Sequence, residues 1–218
     1  MSADKIVFFG GDGGCLDAFF LAQETADSKA VIEAIILSDS SQNMPSNAVY
    51  GGGFASIENG RYAGYHFVYQ CGNVQNHRTR HTWFEKAVAN EMVPLSCVSK
   101  AAYVHKTAVL GAGVIVYPGV RIMRDVVIGD NVVLLPNSVI NHGCEIGDYS
   151  IVNSSVTFNG DVRCGRNCFF GAATTVRENV TFGDGVTIGM GSLILNSILT
   201  EGVYFGRPTK RKLPDNRI

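Results

Sequence analysis

His142 is the residue of this sequence whose type and position are best suited to chemistry. It stands in Asn141-His142-Gly143-Cys144 and is the only histidine in the middle of a long repeated region. An imidazole can accept and release a proton near neutral pH, so His142 is a candidate acid–base catalyst. The alternative interpretation is a solvated histidine at a corner of the fold.

A second candidate site lies near the N-terminus, where a glycine-rich run follows a buried-strand pattern. Ile6-Val7-Phe8-Phe9 precedes Gly10-Gly11-Asp12-Gly13-Gly14, and a segment with helical periodicity comes next. The N–H groups of such a loop can approach a phosphate at a helix start, and Asp39, after a predicted strand at 32–37, can bind a ribose or base. The loop lacks a full GxGxxG pattern, so a tight strand-to-helix turn is the alternative.

The element that must position His142 is a six-residue repeat. Every sixth residue from Val98 to Ile194 is apolar, and a second column, from Ala102 to Ile198, holds only small or β-branched residues. Glycine recurs every eighteen residues, at Gly111, Gly129, Gly147, Gly165 and Gly183. Three hexads therefore form one coil of a triangular parallel β-helix.

This repeat predicts a prism of five to six coils, about 27 Å tall, over residues 98–199. The recurring glycines are expected at corners, where the backbone adopts a conformation that β-branched residues resist. Gly160 follows His142 by eighteen residues, so it should lie at the same corner one coil further on. A glycine that only completes this corner is the alternative to a chemical role.

Composition favours an ordinary globular protein. The 218 residues are 46% hydrophobic and 17% charged with a net charge of −1, so nothing indicates nucleic-acid binding. The absence of a long apolar run and of a basic leader predicts a cytoplasmic protein with no membrane partner. Three of the six cysteines, Cys144, Cys164 and Cys168, fall in interior columns, so neither a disulfide nor a metal site is expected.

Residues 1–95 have a different pattern of apolar runs and glycines from the six-residue repeat. This pattern predicts a small Rossmann-like α/β domain before the β-helix of residues 96–218. A third strand is expected at 66–70, followed by Cys71-Gly72-Asn73, and a helix at 81–92. The glycine-rich segment 41–65 is interpreted as a loop that covers a ligand. Three parallel strands suit a mononucleotide better than a dinucleotide.

This combination of a glycine-loop βαβ unit and a hexapeptide β-helix resembles the bacterial acyl-CoA-dependent acyltransferases of nucleotide-linked amino sugars, which are related to sialic acid O-acetyltransferases. The resemblance covers nearly the whole chain. It implies a left-handed helix, although ordinary parallel crossovers are right-handed. It also implies acetyl-CoA as co-substrate, a nucleotide-linked amino sugar as acceptor, a homotrimer, and a role in lipopolysaccharide or capsule biosynthesis.

The resemblance also implies roles for individual residues. His142 matches the general base, and Gly160, in Asn159-Gly160-Asp161-Val162, matches the glycine whose N–H faces the thioester oxygen. Coenzyme A would contact Gly160, Ala172, Arg207 and Lys210, with Arg211 and Lys212 near its phosphates, although a basic tail can also be merely solvated. The nucleotide sugar would contact Gly11, Asp12, Gly13, Gly14, Asp39, Gly72 and Asn73.

Three positions depart from the family pattern. The acid that usually follows the base is Gly143 here, a second family histidine falls at Ile151, and the glycine-loop histidine appears as Gly14. The group that orients His142 is therefore open, with Glu145 and Asp161 as candidates. An O-acetyltransferase acting on a sugar such as sialic acid, and a non-catalytic trimer that binds sugar nucleotides, are the alternative functions.

Overall fold

The structure, a computed structural model, describes residues 5–10, 21, 31–37, 50–70, 74–75 and 77–211. These residues form a five-stranded parallel sheet followed by a long parallel β-solenoid. Within these ranges, no helix has the length and apolar character needed to cross a membrane.

The five-stranded sheet, called the N-terminal sheet below, has the strand order β3-β2-β1-β4-β5. All four strand pairs are parallel. The central strand is the apolar run at Ile6, and its residues from Ile6 to Gly10 are buried. This confirms the strands predicted near 6–9, 32–37 and 66–70. The strands are β1 (Lys5–Gly10), β2 (Val31–Leu37), β3 (Tyr50–Gly53), β4 (His66–Tyr69) and β5 (Val93–Pro94).

Two edge strands were not predicted. The loop expected over 41–65 is wrong in part, because Tyr50–Gly53 pairs with β2 and Phe54–Asn59 forms a 3-10 helix. Strand pairing uses backbone groups, so three successive glycines can form an edge strand without side chains to pack. At the other edge Val93–Pro94 pairs with β4. Proline is tolerated there because an edge strand has one unpaired side.

A helix, α1 (Arg80–Ala89), follows a 3-10 turn at His77–Thr79. Its buried Phe84 ring lies 5.2 Å from the ring of Phe67 and 6.5 Å from that of Tyr69, so the helix packs against β4. The helix was predicted over 81–92 and ends three residues earlier, because Glu91 takes a left-handed backbone conformation (φ 61°) that stops helical hydrogen bonding.

The solenoid has three faces of short parallel strands, which are named here by chain order. The first face contains Cys97–Val98, Ile115–Val116, Val133–Leu134, Ile151–Val152, Phe169–Phe170 and Val186–Ile188. The second face contains Tyr103–Val104, Arg121–Ile122, Val139–Ile140, Thr157–Phe158, Thr175–Val176 and Leu193–Ile194. The third face contains Val109–Leu110, Val127–Ile128, Glu145–Ile146, Arg163–Cys164 and Thr181–Phe182.

Each solenoid strand pairs with the strand eighteen residues further on, as in the pairing of Ile122 with Ile140. Six, six and five strands on the three faces confirm the five to six coils predicted from the repeat. At the end of the ladder, Gly202–Gly206 pairs in parallel with Val186–Ile188, and Thr209–Arg211 returns antiparallel to it. This C-terminal hairpin covers the last strand of the first face.

The predicted interior columns form the core of the solenoid. Every sixth residue from Val116 to Ile194 is buried, whereas the three before Val116 are half-buried. Phe158, Phe170 and Phe182 stack edge to face with ring centroids 4.7 and 5.0 Å apart, a contact worth roughly 1 kcal/mol per pair beyond the area it buries. Cys144, Cys164 and Cys168 are buried free thiols in these columns.

The eighteen-residue glycines have a different physical cause from the one predicted. None of Gly111, Gly129, Gly147, Gly165 and Gly183 has a positive φ. A Cβ at Gly147 would instead lie 2.6 Å from backbone atoms of Gly165, and one at Gly165 would lie 2.7 Å from the backbone nitrogen of Asp184. These glycines are required because the next coil passes too close for a side chain.

Contacts of residues 77–80 join the N-terminal sheet to the solenoid. Arg80, which is 2% exposed, donates to the carbonyl oxygens of Asn131 (3.0 Å) and Tyr149 (2.9 Å) and to Oδ1 of Asn131 (2.9 Å). Nδ2 of Asn131 in turn donates to the carbonyl of Tyr69 at the end of β4, at 3.1 Å. The buried ring of His77 lies within hydrogen-bond distance of Thr187 (3.2 Å). Polar contacts therefore fix the carboxyl edge of the sheet against the solenoid.

Replacing Arg80 by alanine should destabilise the protein by roughly 2–5 kcal/mol, because buried acceptors that now receive charged hydrogen bonds would lose them. Chemical denaturation measures the loss. Arg177→Ala is the matched control, since Arg177 is an exposed arginine on the solenoid and should change stability by less than about 0.5 kcal/mol. Equal stabilities of the two variants would contradict the anchoring role of Arg80.

Candidate active site

His142 lies at the corner where the chain passes from the second face to the third. Five two-residue turns stack at this corner, which we call the His142 corner: 106–107, 124–125, 142–143, 160–161 and 178–179. The second residue of the last four turns has a φ between 58° and 66°. In three of these turns its N–H donates to the carbonyl one coil below, as Asp161 does to His142 at 2.9 Å and Asn179 to Gly160 at 3.0 Å, whereas the N–H of Asp125 donates to Oγ1 of Thr107 at 2.9 Å.

The imidazole of His142 lies against Gly160 of the next coil, as the repeat predicted. A Cβ on Gly160 would lie 2.7 Å from Nε2 and 2.8 Å from Cε1 of the ring. Gly160 has no positive φ, so its glycine is required by this close approach and not by backbone conformation. His142 is exposed while Gly160 is buried. The ring edge that contains Nε2 therefore packs directly against the backbone of Gly160.

The backbone N–H of Gly160 has no hydrogen-bond acceptor in the described part of the protein. The N–H groups of Asn159 and Asp161, on either side of it, are bonded. A basic imidazole nitrogen and a free N–H at one corner can accept a proton and stabilise a developing oxyanion, respectively.

Position 143, directly after His142, also excludes a side chain. Its φ is +66°, and a Cβ there would lie 2.1 Å from Oδ1 of Asp161. The carboxylate of Asp161 thus lies over Gly143 from the next coil. Glu145, the other candidate to orient His142, faces away from the corner in an ion pair with Arg163 at 3.3 Å. Among the described side chains, none forms a hydrogen bond with the imidazole.

Buried groups beside the corner are held by backbone carbonyls. The Cys144 thiol donates to the carbonyl of Asn159 at 3.0 Å, and burial raises the pKa of this thiol to about 11. Cys144 therefore stays protonated at neutral pH and is not a nucleophile. The Asn141 amide donates to the carbonyl of Phe158 at 2.8 Å, so it stiffens the segment that leads into His142.

Two of the predicted coenzyme contacts lie at another corner, between the first and second faces. The N–H of Gly191 donates to the carbonyl of Ala172 at 2.7 Å, and Nε of Arg207 donates to the carbonyl of Gly191. Ala172 and Arg207 are therefore brought together, and the second face separates them from His142. A cavity of about 210 Å³ is lined by residues 194–198, Tyr204 and Pro208, and neither Ala172 nor Arg207 is among its lining residues.

The predicted nucleotide contacts cannot be placed in the same way. Gly11, Asp12, Gly13, Gly14, Asp39, Gly72 and Asn73 lie outside the described residues, as does Lys212, and the side chains of Lys210 and Arg211 are not described. The strands that precede them are described: β1 ends at Gly10, β2 at Leu37 and β4 at Tyr69. These three ends are adjacent at one edge of the sheet.

Sequence reasoning missed the contacts that place this sheet edge against the solenoid. Arg78, just after β4, forms an ion pair with Glu201 at 2.8 Å and approaches Thr187 at 3.5 Å. Arg80 and Asn131 carry the buried part of the contact. No spacing or motif in the sequence joins these residues. Within the described ranges, no group of three or more His, Cys, Asp or Glu could hold a metal ion.

Comparison with known proteins supports the repeat architecture. Residues 125–160 match the family model "Bacterial transferase hexapeptide (six repeats)". The UDP-3-O-acylglucosamine N-acyltransferase of Herminiimonas arsenicoxydans is 35% identical over 84 residues, which cover 38% of this chain and 24% of that protein. The chain thus matches about a quarter of the length of this curated relative.

Two solved structures share the fold over almost the whole chain. The acetyltransferase domain of PglB from Neisseria gonorrhoeae FA1090 is 22% identical with a TM-score of 0.85, covering 95% of this chain and 99% of the domain. A histidine-to-alanine variant of the GDP-perosamine N-acetyl transferase from Caulobacter crescentus, solved with CoA and GDP-perosamine, is 23% identical with a TM-score of 0.85. It covers 95% of this chain and 96% of that protein. The chain therefore has the fold of these proteins.

Gly160→Ala should displace the His142 ring, because the new methyl carbon would lie only 2.7 Å from Nε2 and 2.8 Å from Cε1. Stability should fall by less than about 1 kcal/mol, since the exposed ring can rotate into solvent. Imidazole NMR resonances measure the displacement: those of His142 should shift, and those of His105, two coils below, should not. Unchanged His142 resonances would contradict the contact between His142 and Gly160.

Proposed function

We propose that this protein is an acyl-CoA-dependent N-acyltransferase, with acetyl-CoA as the acyl donor and the amine of a nucleotide-linked amino sugar as the acceptor. The proposed setting is bacterial surface-glycan biosynthesis. The observation that carries the proposal is the exposed His142 imidazole against the free N–H of Gly160 at one corner of the solenoid. The likeness over 95% of the chain to the acetyltransferase domain of PglB and to a GDP-perosamine N-acetyl transferase supports it.

In the proposed reaction, Nε2 of His142 accepts a proton from the sugar amine as its nitrogen attacks the thioester carbonyl carbon. Negative charge develops on the carbonyl oxygen, and the N–H of Gly160 donates a hydrogen bond to it. The new C–N bond forms, the C–S bond breaks, and the thiolate takes up the proton that His142 carries. The products are an N-acyl sugar and free coenzyme A, and His142 returns to its neutral form.

The N-terminal sheet is the proposed nucleotide site. Its chain order reverses at β1, which lies between β2 and β4, and ligands of parallel sheets bind at the carboxyl ends of strands beside such a reversal. The predicted contacts at Gly11–Gly14, Asp39, Gly72 and Asn73 all follow those ends. Because the Tyr69 end of β4 is bonded to Asn131, this edge is held against the solenoid that carries His142.

The coenzyme is proposed to contact Gly160 with its thioester and Ala172, Arg207 and Lys210 with the rest of the molecule. Ala172 and Arg207 lie at the far side of the second face from His142, so an extended molecule along this face would reach both corners. Arg207 is exposed apart from its bond to Gly191, and its charge suits a phosphate.

The finer architecture belongs to the same proposal. Residues 1–95 would form a Rossmann-like nucleotide-sugar-binding domain, and residues 96–218 a left-handed β-helix with a C-terminal tail. The proposed assembly is a cytoplasmic homotrimer with three sites, because a closed ring of three prisms would place a neighbour beside each His142 corner.

Thiol release from acetyl-CoA tests the reaction when it is measured with a panel of amino-sugar nucleotides and with hydroxyl-bearing sugars such as sialic acid. The parent protein should release thiol with an amino-sugar nucleotide. His142→Ala should lower the turnover rate by about 10²–10⁴, the usual contribution of a general base, while both substrates still bind. His105→Ala, which removes a histidine two coils below, should keep the parent rate.

Each contrary outcome points to a different error. Release only with hydroxyl acceptors would indicate an O-acetyltransferase, and no release with any acceptor would indicate a non-catalytic binding protein. A His142→Ala rate within a few-fold of the parent would remove His142 as the base. Light scattering on the same samples should give a trimer, and a stable monomer would contradict the proposed assembly.

A further inference from the structure

A histidine that acts as a base works best when a third group orients its ring and stabilises the positive charge that it gains. Four carboxylates lie near the His142 corner: Asp125 one coil below, Glu145 on the following strand, Asp161 one coil above and Glu178 two coils above. Asp125 is paired with Arg124 at 2.8 Å, and Glu145 with Arg163 at 3.3 Å. Glu178 is separated from His142 by the coil that contains Gly160.

Asp161 differs from Asp125 and Glu145 in having no ion-pair partner among the described residues, and from Glu178 in lying on the coil next to His142. Within the described part of the chain, no cation or hydrogen-bond donor pairs with its carboxylate. Its own N–H donates to the carbonyl of His142 at 2.9 Å, so its backbone is tied to that residue. Its Oδ1 lies 2.1 Å from the place where a Cβ on Gly143 would be, so the side chain leans down across one coil over the residue that follows His142.

The glycine at position 143 makes this arrangement possible. Any other residue there would place its Cβ in the space that the Asp161 oxygen occupies. Burial raises the pKa of the Cys144 thiol, and the nearby charge of Asp161 raises it further, so this carboxylate also lies close to the interior side of the corner. The residue next to the base thus has no side chain, and a carboxylate from the next coil fills that space.

We propose that Asp161 is the positioning residue for His142: its carboxylate, supplied by the neighbouring coil, orients the imidazole and stabilises the imidazolium that forms as the acceptor loses its proton. The inference rests on the proposed function. The structure shows no hydrogen bond between the Asp161 carboxylate and the imidazole. Catalytic hydrogen bonds are often long in the absence of substrate and shorten in the complex, so this hydrogen bond is expected to form when the acceptor binds.

Asp161→Asn tests this role, because it keeps the shape of the side chain and removes its charge. The turnover number kcat should fall by roughly tenfold to 100-fold, the effect expected when a charge that stabilises a forming cation is lost, and KM for both substrates should change by less than about twofold. Asp125→Asn is the matched control. It removes a carboxylate at the equivalent turn position one coil below Gly143, where Arg124 already neutralises it, and kcat should stay within about twofold of the parent.

A double substitution that exchanges the residues at positions 143 and 161 separates the effect of the carboxylate charge from effects on the structure. Aspartate is accepted in the left-handed conformation of this turn position, since Asp125 and Asp161 adopt it with φ values of 58° and 60°. Gly143→Asp combined with Asp161→Gly therefore moves the carboxylate to the coil of His142 without backbone strain or a clash. The double variant should recover at least about tenfold in kcat over Asp161→Gly alone.

The outcomes distinguish this inference from the proposed function. If His142→Ala abolishes turnover while Asp161→Asn keeps the parent kcat, or if Asp125→Asn loses as much as Asp161→Asn, Asp161 is not the positioning residue and the base stands. A swap with no recovery over Asp161→Gly, in a protein that denatures at the parent's midpoint, would also overturn the inference. A His142→Ala variant that retains turnover would instead contradict the proposed function itself.

Discussion

The direct stacking of coils is the constraint on which the rest of this structure depends. Parallel strands in a sheet lie about 4.8 Å apart, so each residue of the solenoid lies against the residue eighteen positions further along. A side chain at position 160 would displace the His142 ring below it, and one at position 143 would clash with the Asp161 carboxylate above it. The same spacing gives the core its columns and puts the imidazole, the free N–H and the carboxylate at one corner. One coil contributes the imidazole of His142, and the next coil contributes the N–H of Gly160 and the carboxylate of Asp161.

A second contact makes the solenoid part of a larger arrangement. Buried Arg80 at the start of α1 donates to carbonyls of two successive coils, at Asn131 and Tyr149. Since Asn131 also bonds the end of β4, the edge of the N-terminal sheet is fixed relative to the corners of the prism. Burial of a guanidinium is costly without such partners. The contacts of Arg80 with Asn131 and Tyr149 therefore limit how far the sheet can move relative to the solenoid.

The sequence alone predicted what its periodicity encodes. The columns from Val98 and Ala102, the number of coils and the meeting of His142 with Gly160 all follow from counting in sixes and eighteens. The edge strand at Tyr50–Gly53 was missed because backbone pairing leaves no side-chain pattern, and the joint at Arg80 because its partners lie 51 and 69 residues away. The reason for the recurring glycines was wrong, since close approach of the next coil, not backbone conformation, excludes a side chain there. The position of Asp161 over Gly143 could have been found by the same count of eighteen.

We propose that the acyl group is transferred at the His142 corner. The most direct measurement is a crystal structure of the protein with acetyl-CoA bound. We expect the thioester oxygen to lie about 3 Å from the backbone nitrogen of Gly160, with the carbonyl carbon open to attack from the side of His142 Nε2. A thioester bound elsewhere on the protein, with the Gly160 N–H and the imidazole facing only solvent, would contradict this proposal.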